Sequence, residues 1–143
     1  FYHNRRERKD LPYTYAETLP ELARQVDFLI VAAPGGDETH HKVDRSIMDA
    51  LGPEGVLVNV GRGSIVDTPA LVSALCEGTL GAAALDVLEG EPLVSASLLA
   101  LPNLLLTPHM ASMTKDALRY AFDRAADNME AHFAGERVLS PAI

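Results

Sequence analysis

Three short segments of the chain carry side chains suited to chemistry on a small anion. The segments are Asn59–Asp67, Leu85–Pro92 and Leu106–His109. Each follows a short apolar run typical of a strand, so its polar residues stand at a strand end, where open α/β sheets place their chemistry. Together they offer an arginine, a carboxylate and a histidine, which suit anion binding, orientation of a base and proton transfer.

Arg62 lies between Gly61 and Gly63. The two glycines predict a backbone that turns sharply and approaches a ligand closely. A guanidinium in that place can hold a carboxylate by two parallel hydrogen bonds. An arginine considered by its type alone is more often a solvated surface residue, but a strand followed by glycines favours the anion-binding interpretation.

His109 follows Thr107-Pro108, and the proline stiffens the backbone that leads to it. Histidine suits general acid or base work, although a lone histidine is more often structural. A carboxylate such as Glu91, if bonded to one ring nitrogen, would fix the ring and aim the other N–H at a substrate. Pro92 predicts an extended backbone at Glu91. Asp86, just past a strand end, could equally contact a ligand amide or cap the next turn.

A basic run, Asn4-Arg5-Arg6-Glu7-Arg8, follows residues 1–4, which have the pattern of a strand's end. Such a charge run is usually a solvated surface. If this strand is the second of a dinucleotide-binding fold, its end meets the adenosine ribose. An acidic residue there accepts from the 2′-hydroxyl, whereas arginine accommodates a 2′-phosphate. Since Asn4 is not acidic and two arginines follow, the pattern favours NADP(H) over NAD(H).

Composition argues against several classes of protein. The chain has 143 residues, a formal charge of -8 and one cysteine, Cys76. The absence of a basic stripe argues against a nucleic-acid partner, and no apolar run approaches the ~20 residues that span a bilayer. A single cysteine fits a reducing, cytoplasmic location. No metal site is predicted at His40-His41, because neither cysteine nor spaced acidic residues accompany the pair and adjacent side chains point apart.

The apolar runs predict a parallel sheet with helical crossovers, an α/β fold of the Rossmann type. Strands are predicted at residues 28–33, 56–60, 82–85 and 104–106, the first buried on both faces because its apolar run does not alternate. Helices are predicted at residues 20–25 and 44–51, the second capped by Asp44. A third should run from its N-cap Thr68 to Gly78, and a last one from about Ser112 to Gly135.

The motifs of this sequence resemble those of the D-isomer-specific 2-hydroxyacid dehydrogenases. The family signature Asn-x-x-Arg-Gly-x-x-Val-Asp-x-x-Ala-Leu matches Asn59–Leu71. Leu-Asp-Val-x-x-x-Glu-Pro matches Leu85–Pro92, and Leu-Thr-Pro-His matches Leu106–His109. The order and spacing of the three motifs agree as well, and the resemblance covers nearly the whole chain.

The resemblance implies a role for each site residue. Arg62 would bind the carboxylate and ketone oxygen of a 2-oxo acid, while His109 would donate a proton to the carbonyl oxygen as hydride arrives from the nicotinamide. Glu91 would pair with His109, and Asp86 would approach the nicotinamide carboxamide. The expected cofactor contacts are Asn4, Arg5, Arg6, Ala33, Pro34, Thr39, Val60, Gly61, Arg62, Asp86, His109 and Ser112.

The resemblance also implies the domain organisation and the partners. Residues 1–111 would be the C-terminal portion of the NAD(P)-binding Rossmann domain, and residues 112–143 a helix and tail returning to a substrate domain. The glycine-rich phosphate loop precedes this segment in the family, so we expect the second part of a longer, homodimeric enzyme.

The implied activity is reduction of a small 2-oxo acid, such as glyoxylate or hydroxypyruvate, to the D-2-hydroxy acid with NADPH. This activity is typical of the NADP-preferring glyoxylate/hydroxypyruvate reductase-like branch. Two alternatives stay open. The first is a cofactor-sensing, corepressor-like binding module, and the second is an inactive truncated fragment.

Overall fold

The computed structural model describes residues 1–141, which divide into two compact units, one from Phe1 to Pro108 and one from His109 onward. The first unit is built on a parallel sheet in the order β1-β2-β3-β4. The predicted α/β, Rossmann-like sheet is therefore confirmed. Its strands are β1 (Phe28–Val31), β2 (Val56–Asn59), β3 (Ala82–Leu85) and β4 (Leu104–Leu106).

Short helices connect the strands of the first unit, and one long helix dominates the second. The helices are α1 (Leu19–Ala23), α2 (Arg45–Leu51), a 3-10 turn (Gly63–Ile65), α3 (Thr68–Glu77), α4 (Ala96–Leu99) and α5 (Lys115–Phe133). The 3-10 turn and α4 were not predicted, because three or four residues are too few to show a helical period. The predicted direct passage from β3 to β4 is wrong for that reason.

The starts of α3 and α5 differ from the prediction. The N-cap of α3 is Asp67, whose side chain accepts a hydrogen bond from the Ala70 N–H, so Thr68 is already helical. Aspartate and threonine both suit an N-cap, and the first of them along the chain takes the position here. The last helix, α5, starts at Lys115 behind its N-cap Thr114 rather than at Ser112.

The helices of the first unit cover one face of the sheet. Leu29 and Leu57 point into a core that α1, α2 and α3 complete. On the opposite face Phe28 and Ile30 are each 64% exposed and Leu105 is 63% exposed. The prediction that the first strand is buried on both faces is therefore wrong, since such burial requires helices on both sides of the sheet.

The opening segment and the second unit contain little buried structure. Tyr2 forms a single parallel bridge to Tyr15 instead of the expected strand end. No side chain of α5 is buried, and its large apolar residues Phe122, Met129 and Phe133 are exposed. Among the helices of residues 1–141, none is long and apolar enough to cross a membrane.

Asp44 caps α2 as predicted, and its removal should destabilise the first unit. Its carboxylate accepts from the Ser46 hydroxyl at 2.6 Å and from the Ser46 and Ile47 N–H groups at 2.9 and 3.2 Å. We expect Asp44→Ala to lower the free energy of unfolding by about 1 kcal/mol in chemical denaturation. Asp49→Asn, in the same helix, is the control and should cost about 0.5 kcal/mol or less.

The contribution of Asp44 should also depend on pH. The hydrogen bonds, that of the Ser46 hydroxyl first, hold the pKa of the Asp44 carboxyl below its ordinary value. A lowered folded-state pKa gives stability that is present above the unfolded-state pKa and lost as the pH falls through the folded-state value. The unfolding free energies of wild type and Asp44→Ala should therefore converge in acid. A constant difference at all pH values would contradict this account.

Candidate active site

The segments that follow β1, β2 and β3 meet at one edge of the sheet, because the carboxyl ends of parallel strands lie together. They border an open cleft of about 570 Å³. Its lining residues are Pro34, Gly35, Arg62, Gly63, Ser64, Leu88, Glu89 and Gly90. The edge of the sheet at which the sequence places its chemistry thus carries a cleft, with Arg62 in its wall.

Asn59, at the end of β2, fixes the loop that presents Arg62. Its side chain is fully buried. Its Oδ1 accepts from the Gly61 N–H at 3.0 Å, and its Nδ2 donates to the Arg62 carbonyl at 3.0 Å. One amide therefore ties together two points of the loop. Asn59 was not predicted as a site residue, although an amide that ends an apolar strand is a signal for such bracing.

The two glycines beside Arg62 allow close packing of backbones. A Cβ on Gly61 would lie 2.6 Å from the Ala33 carbonyl oxygen, and a Cβ on Gly63 would lie 2.0 Å from the Leu88 carbonyl carbon. Neither glycine has a positive φ. The two glycines thus allow close packing on the neighbouring strand-end loops, and this packing sets the loop of Arg62 against the loop after β3.

The Arg62 side chain is exposed in the cleft wall and packs beside Gly35, where a Cβ would lie 3.1 Å from Arg62 Cγ. Its Nη1 donates to the Gly61 carbonyl at 2.7 Å. A guanidinium has five N–H donors, so this one bond orients the group and leaves donors for a carboxylate. The geometry suits the predicted anion-binding role.

Asp86 and Thr107 form a hydrogen bond between the ends of β3 and β4. Asp86 is buried, and the Thr107 hydroxyl donates to its Oδ1 at 2.5 Å. The Asp86 N–H donates to the Asn59 carbonyl at 3.0 Å, which places the carboxylate next to the braced end of β2. Thr107 was not predicted as a site residue, because only the fold brings it to Asp86.

The loop after β3 carries Glu91 and Glu89. The Leu88 N–H donates to Glu91 Oε1 at 2.5 Å, and the Glu91–Pro92 peptide bond is cis. Glu89, which was not predicted, lines the cleft and contacts both His40 and His41.

The prediction that the two histidines point apart is wrong. His41 has a φ of 50°, outside strand geometry, and the two rings stack with centroids 3.9 Å apart.

The expected cofactor contacts of the first unit lie around the loop after β1. The Thr39 hydroxyl donates to the Pro34 carbonyl at 2.8 Å, and the Val60 N–H donates to the Val31 carbonyl at 3.0 Å. Arg5 Nη1 lies 3.1 Å from Glu38 Oε2 in an exposed ion pair, beside Thr39. The positions that the structure brings near this loop are Asn4, Arg5, Ala33, Pro34, Thr39, Val60 and Gly61.

His109 and Ser112 belong to the second unit. His109 has a φ of 53°, in the left-handed region that non-glycine residues rarely adopt. Such backbone outliers cluster at functional sites. Ser112 is exposed ahead of α5.

The bracing by Asn59 predicts a measurable effect on both stability and the site. Asn59→Ala leaves the Gly61 N–H and Arg62 carbonyl without their side-chain partner, so we expect a loss of about 1–3 kcal/mol of unfolding free energy. A small carboxylate should also bind Arg62 more weakly, measured as a raised Kd for the intact protein. Asn103→Ala is the control, because the Asn103 amide bonds the Leu75 and Gly81 carbonyls instead. It should lower stability and leave this Kd unchanged, and an equal rise in Kd for both variants would contradict the bracing role.

A parallel sheet with helical crossovers and a polar cleft at the carboxyl ends of its strands defines an α/β protein of the Rossmann type. Residues 1–111 match the family described as "D-isomer specific 2-hydroxyacid dehydrogenase, NAD binding domain". The chain belongs to this family, and the resemblance seen in its motifs is confirmed.

Relatives and solved structures agree with this assignment. The chain is 46% identical to hydroxyphenylpyruvate reductase of Plectranthus scutellarioides and to glyoxylate/hydroxypyruvate reductase A of Arabidopsis thaliana, in each case over 99% of this chain and 45% of the relative. NADPH-dependent glyoxylate/hydroxypyruvate reductase of Sinorhizobium meliloti, in complex with NADP and malonate, superposes with a TM-score of 0.89 at 46% identity. That match covers 99% of this chain and 44% of the other. The chain thus spans less than half the length of these relatives.

Proposed function

We propose that this chain is part of an NADPH-dependent reductase that converts a small 2-oxo acid to the D-2-hydroxy acid. Residues 1–111 form the C-terminal portion of the nucleotide-binding domain, and residues 112–143 return to a substrate domain. The observation that carries the proposal is the Arg62 guanidinium, held in the wall of a cleft at the carboxyl ends of the strands. Relatives named as glyoxylate and hydroxypyruvate reductases support this substrate class.

Arg62, His109 and Glu91 have separate roles in the proposed reaction. Arg62 binds the substrate carboxylate and polarises the ketone oxygen, while His109 donates a proton to that oxygen. The nicotinamide, when bound, supplies the hydride. Glu91 pairs with His109 and holds the ring in the orientation for proton transfer. These roles follow from the family motifs, and the exposed Arg62 donors in the cleft wall support the first of them.

The strand-end residues fit a dinucleotide. Asp86 is a buried carboxylate at the edge where a nicotinamide would lie, and its acceptor oxygens suit a carboxamide NH₂. Thr107 holds that carboxylate in place through its 2.5 Å hydrogen bond. The remaining proposed contacts are Asn4, Arg5, Arg6, Ala33, Pro34, Thr39, Val60, Gly61, Arg62, His109 and Ser112.

The arginines at positions 5 and 6 should set the preference for NADPH over NADH. Arg5 and Arg6 are both exposed, and Arg5 gives only its Nη1 to the ion pair with Glu38, so both guanidinium groups have donors for a 2′-phosphate. The NADP complex of the Sinorhizobium meliloti relative supports this choice. We expect Arg5→Ser with Arg6→Ser to lower kcat/KM for NADPH about 10- to 100-fold, because charge-assisted hydrogen bonds are lost. The value for NADH should change little, and a similar loss with both cofactors would contradict the assignment.

The proposal is tested by NADPH oxidation. The intact protein, incubated with NADPH and either glyoxylate or hydroxypyruvate, should oxidise the cofactor in a substrate-dependent way. Cofactor binding without oxidation for any small 2-oxo acid, together with cofactor-dependent binding of a protein partner, would instead favour the binding-module alternative. Sedimentation of the same preparation tests the homodimer, which the family resemblance alone supports.

A further inference from the structure

His40, His41 and Glu89 form a cluster that the proposed reduction does not use. Each offers one ligand atom, and these atoms all lie within 4.8 Å of one another. His41 Nε2 is 2.9 Å and His40 Nε2 is 3.9 Å from the same Glu89 oxygen. Two imidazoles and a carboxylate so close together are a ligand set for a transition-metal ion, and none of the three residues belongs to the catalytic set.

The backbone holds the two histidines in this arrangement. The left-handed φ of 50° at His41 is what turns neighbouring side chains to the same side. The His41 N–H donates to the Ser64 carbonyl at 2.9 Å, and Val43 forms a parallel bridge with Val66. The histidines are thus tied to the segment that follows Arg62, and backbone outliers of this kind mark functional sites.

The turn that carries Glu89 is fixed by contacts of its own. The Glu91 side chain accepts from the Leu88 N–H and closes the turn that contains Glu89. Gly63 packs directly on the Leu88–Glu89 backbone, so this turn lies against the same segment that carries the Ser64 carbonyl. Ligands presented by two mutually packed loops lose little conformational freedom when they bind an ion.

We propose that His40, His41 and Glu89 bind one divalent transition-metal ion of the Zn²⁺ class. Zn²⁺ takes His nitrogen and carboxylate oxygen ligands at about 2.0–2.2 Å in a tetrahedral arrangement, which places ligand atoms roughly 3.4 Å apart. The 2.9 and 3.9 Å separations bracket that spacing, and no two ligand atoms of the cluster lie more than 4.8 Å apart, so side-chain rotations can complete the site. The side chains are 54, 33 and 34% exposed, so an ion reaches them from solvent and the fourth position stays open to water.

A bound ion would act on the cleft, because Glu89 lines it together with Arg62. The ion replaces a negative side chain at the rim by a net positive centre. Anionic ligands should then bind more tightly or enter faster. The proposal does not rest on the reductase activity, since the site exists in the folded chain whether or not the protein turns over a 2-oxo acid.

Calorimetric titration with ZnCl₂ tests the proposal. The intact protein is used after chelator treatment and with Cys76→Ser, which removes the exposed thiol as a competing ligand. We expect one site of micromolar affinity that His41→Asn and Glu89→Gln each weaken at least tenfold. His132→Asn, which changes an exposed histidine of α5, should leave the affinity unchanged.

His40→Asn separates chelation from loop packing. Its Nε2 is 3.9 Å from Glu89, too far for a hydrogen bond, so this variant should fold as wild type and still lose at least tenfold in Zn²⁺ affinity. The proposal would be overturned by binding that the three cluster variants leave unaltered, or by no binding at millimolar Zn²⁺.

Discussion

In the intact protein, replacing His109 by asparagine should lower kcat of the proposed reduction about 10²- to 10⁴-fold, because a positioned general acid contributes that much to proton transfer. Asparagine is the informative substitution. It tolerates the left-handed backbone that His109 adopts at a φ of 53°, whereas most residues resist it. The loss therefore reports the missing proton donor and not a rearranged backbone. Steady-state kinetics with NADPH and hydroxypyruvate measure it.

Two controls accompany the His109 variant. NADPH affinity, measured by fluorescence titration, should fall far less than kcat, because His109 is only one of many proposed cofactor contacts but the sole proposed proton donor. His132→Asn should leave kcat unaltered, because His132 stands on the exposed face of α5 and has no proposed role. Wild-type turnover by His109→Asn would remove His109 from the acid role.

Replacing Arg62 by lysine should raise KM for the 2-oxo acid about 10- to 100-fold. Lysine keeps the positive charge but loses the planar fork that holds a carboxylate by two parallel hydrogen bonds. Each hydrogen bond to a charged group contributes about 1.5–3 kcal/mol, and each 1.4 kcal/mol corresponds to a tenfold change in affinity. The KM for NADPH should change far less, because Arg62 is only one of many proposed cofactor contacts.

The matched control for Arg62 is Arg45→Lys. Arg45 also makes short ionic contacts, 2.7 Å to Asp49 and 2.6 Å to Glu77, but it lies on α2 and not in the cleft. Its replacement should leave KM unchanged. If Arg62→Lys kept the KM of wild type, or if both lysine variants raised it equally, Arg62 would not be the carboxylate-binding residue.

The sheet could be predicted from sequence because its strands are continuous apolar runs bounded by glycine and proline. Which face of the sheet the helices pack against could not be predicted. Phe28 and Leu29 are equally apolar, yet one is exposed and the other buried, because burial depends on which face the helices pack against. Short elements such as α4 could not be predicted either, because four residues are too few to show a helical period.

The residues that carry the proposed chemistry could be predicted from the sequence. The residues that hold them in place could not. Arg62 stands in the cleft wall at a strand end, as its motif predicts. The buried amide of Asn59 and the hydroxyl of Thr107 act through contacts that only the folded chain creates. The histidine pair was misjudged for a related reason. A rule based on regular backbone fails where His41 adopts a positive φ.

The stereochemistry of the product tests the central claim most directly. The intact protein is incubated with NADPH and hydroxypyruvate, and the glycerate formed is resolved by chiral chromatography. We expect D-glycerate in amounts equal to the NADPH consumed. L-glycerate, or no NADPH oxidation with either hydroxypyruvate or glyoxylate, would contradict the proposal that this chain is part of a D-2-hydroxy acid-forming reductase.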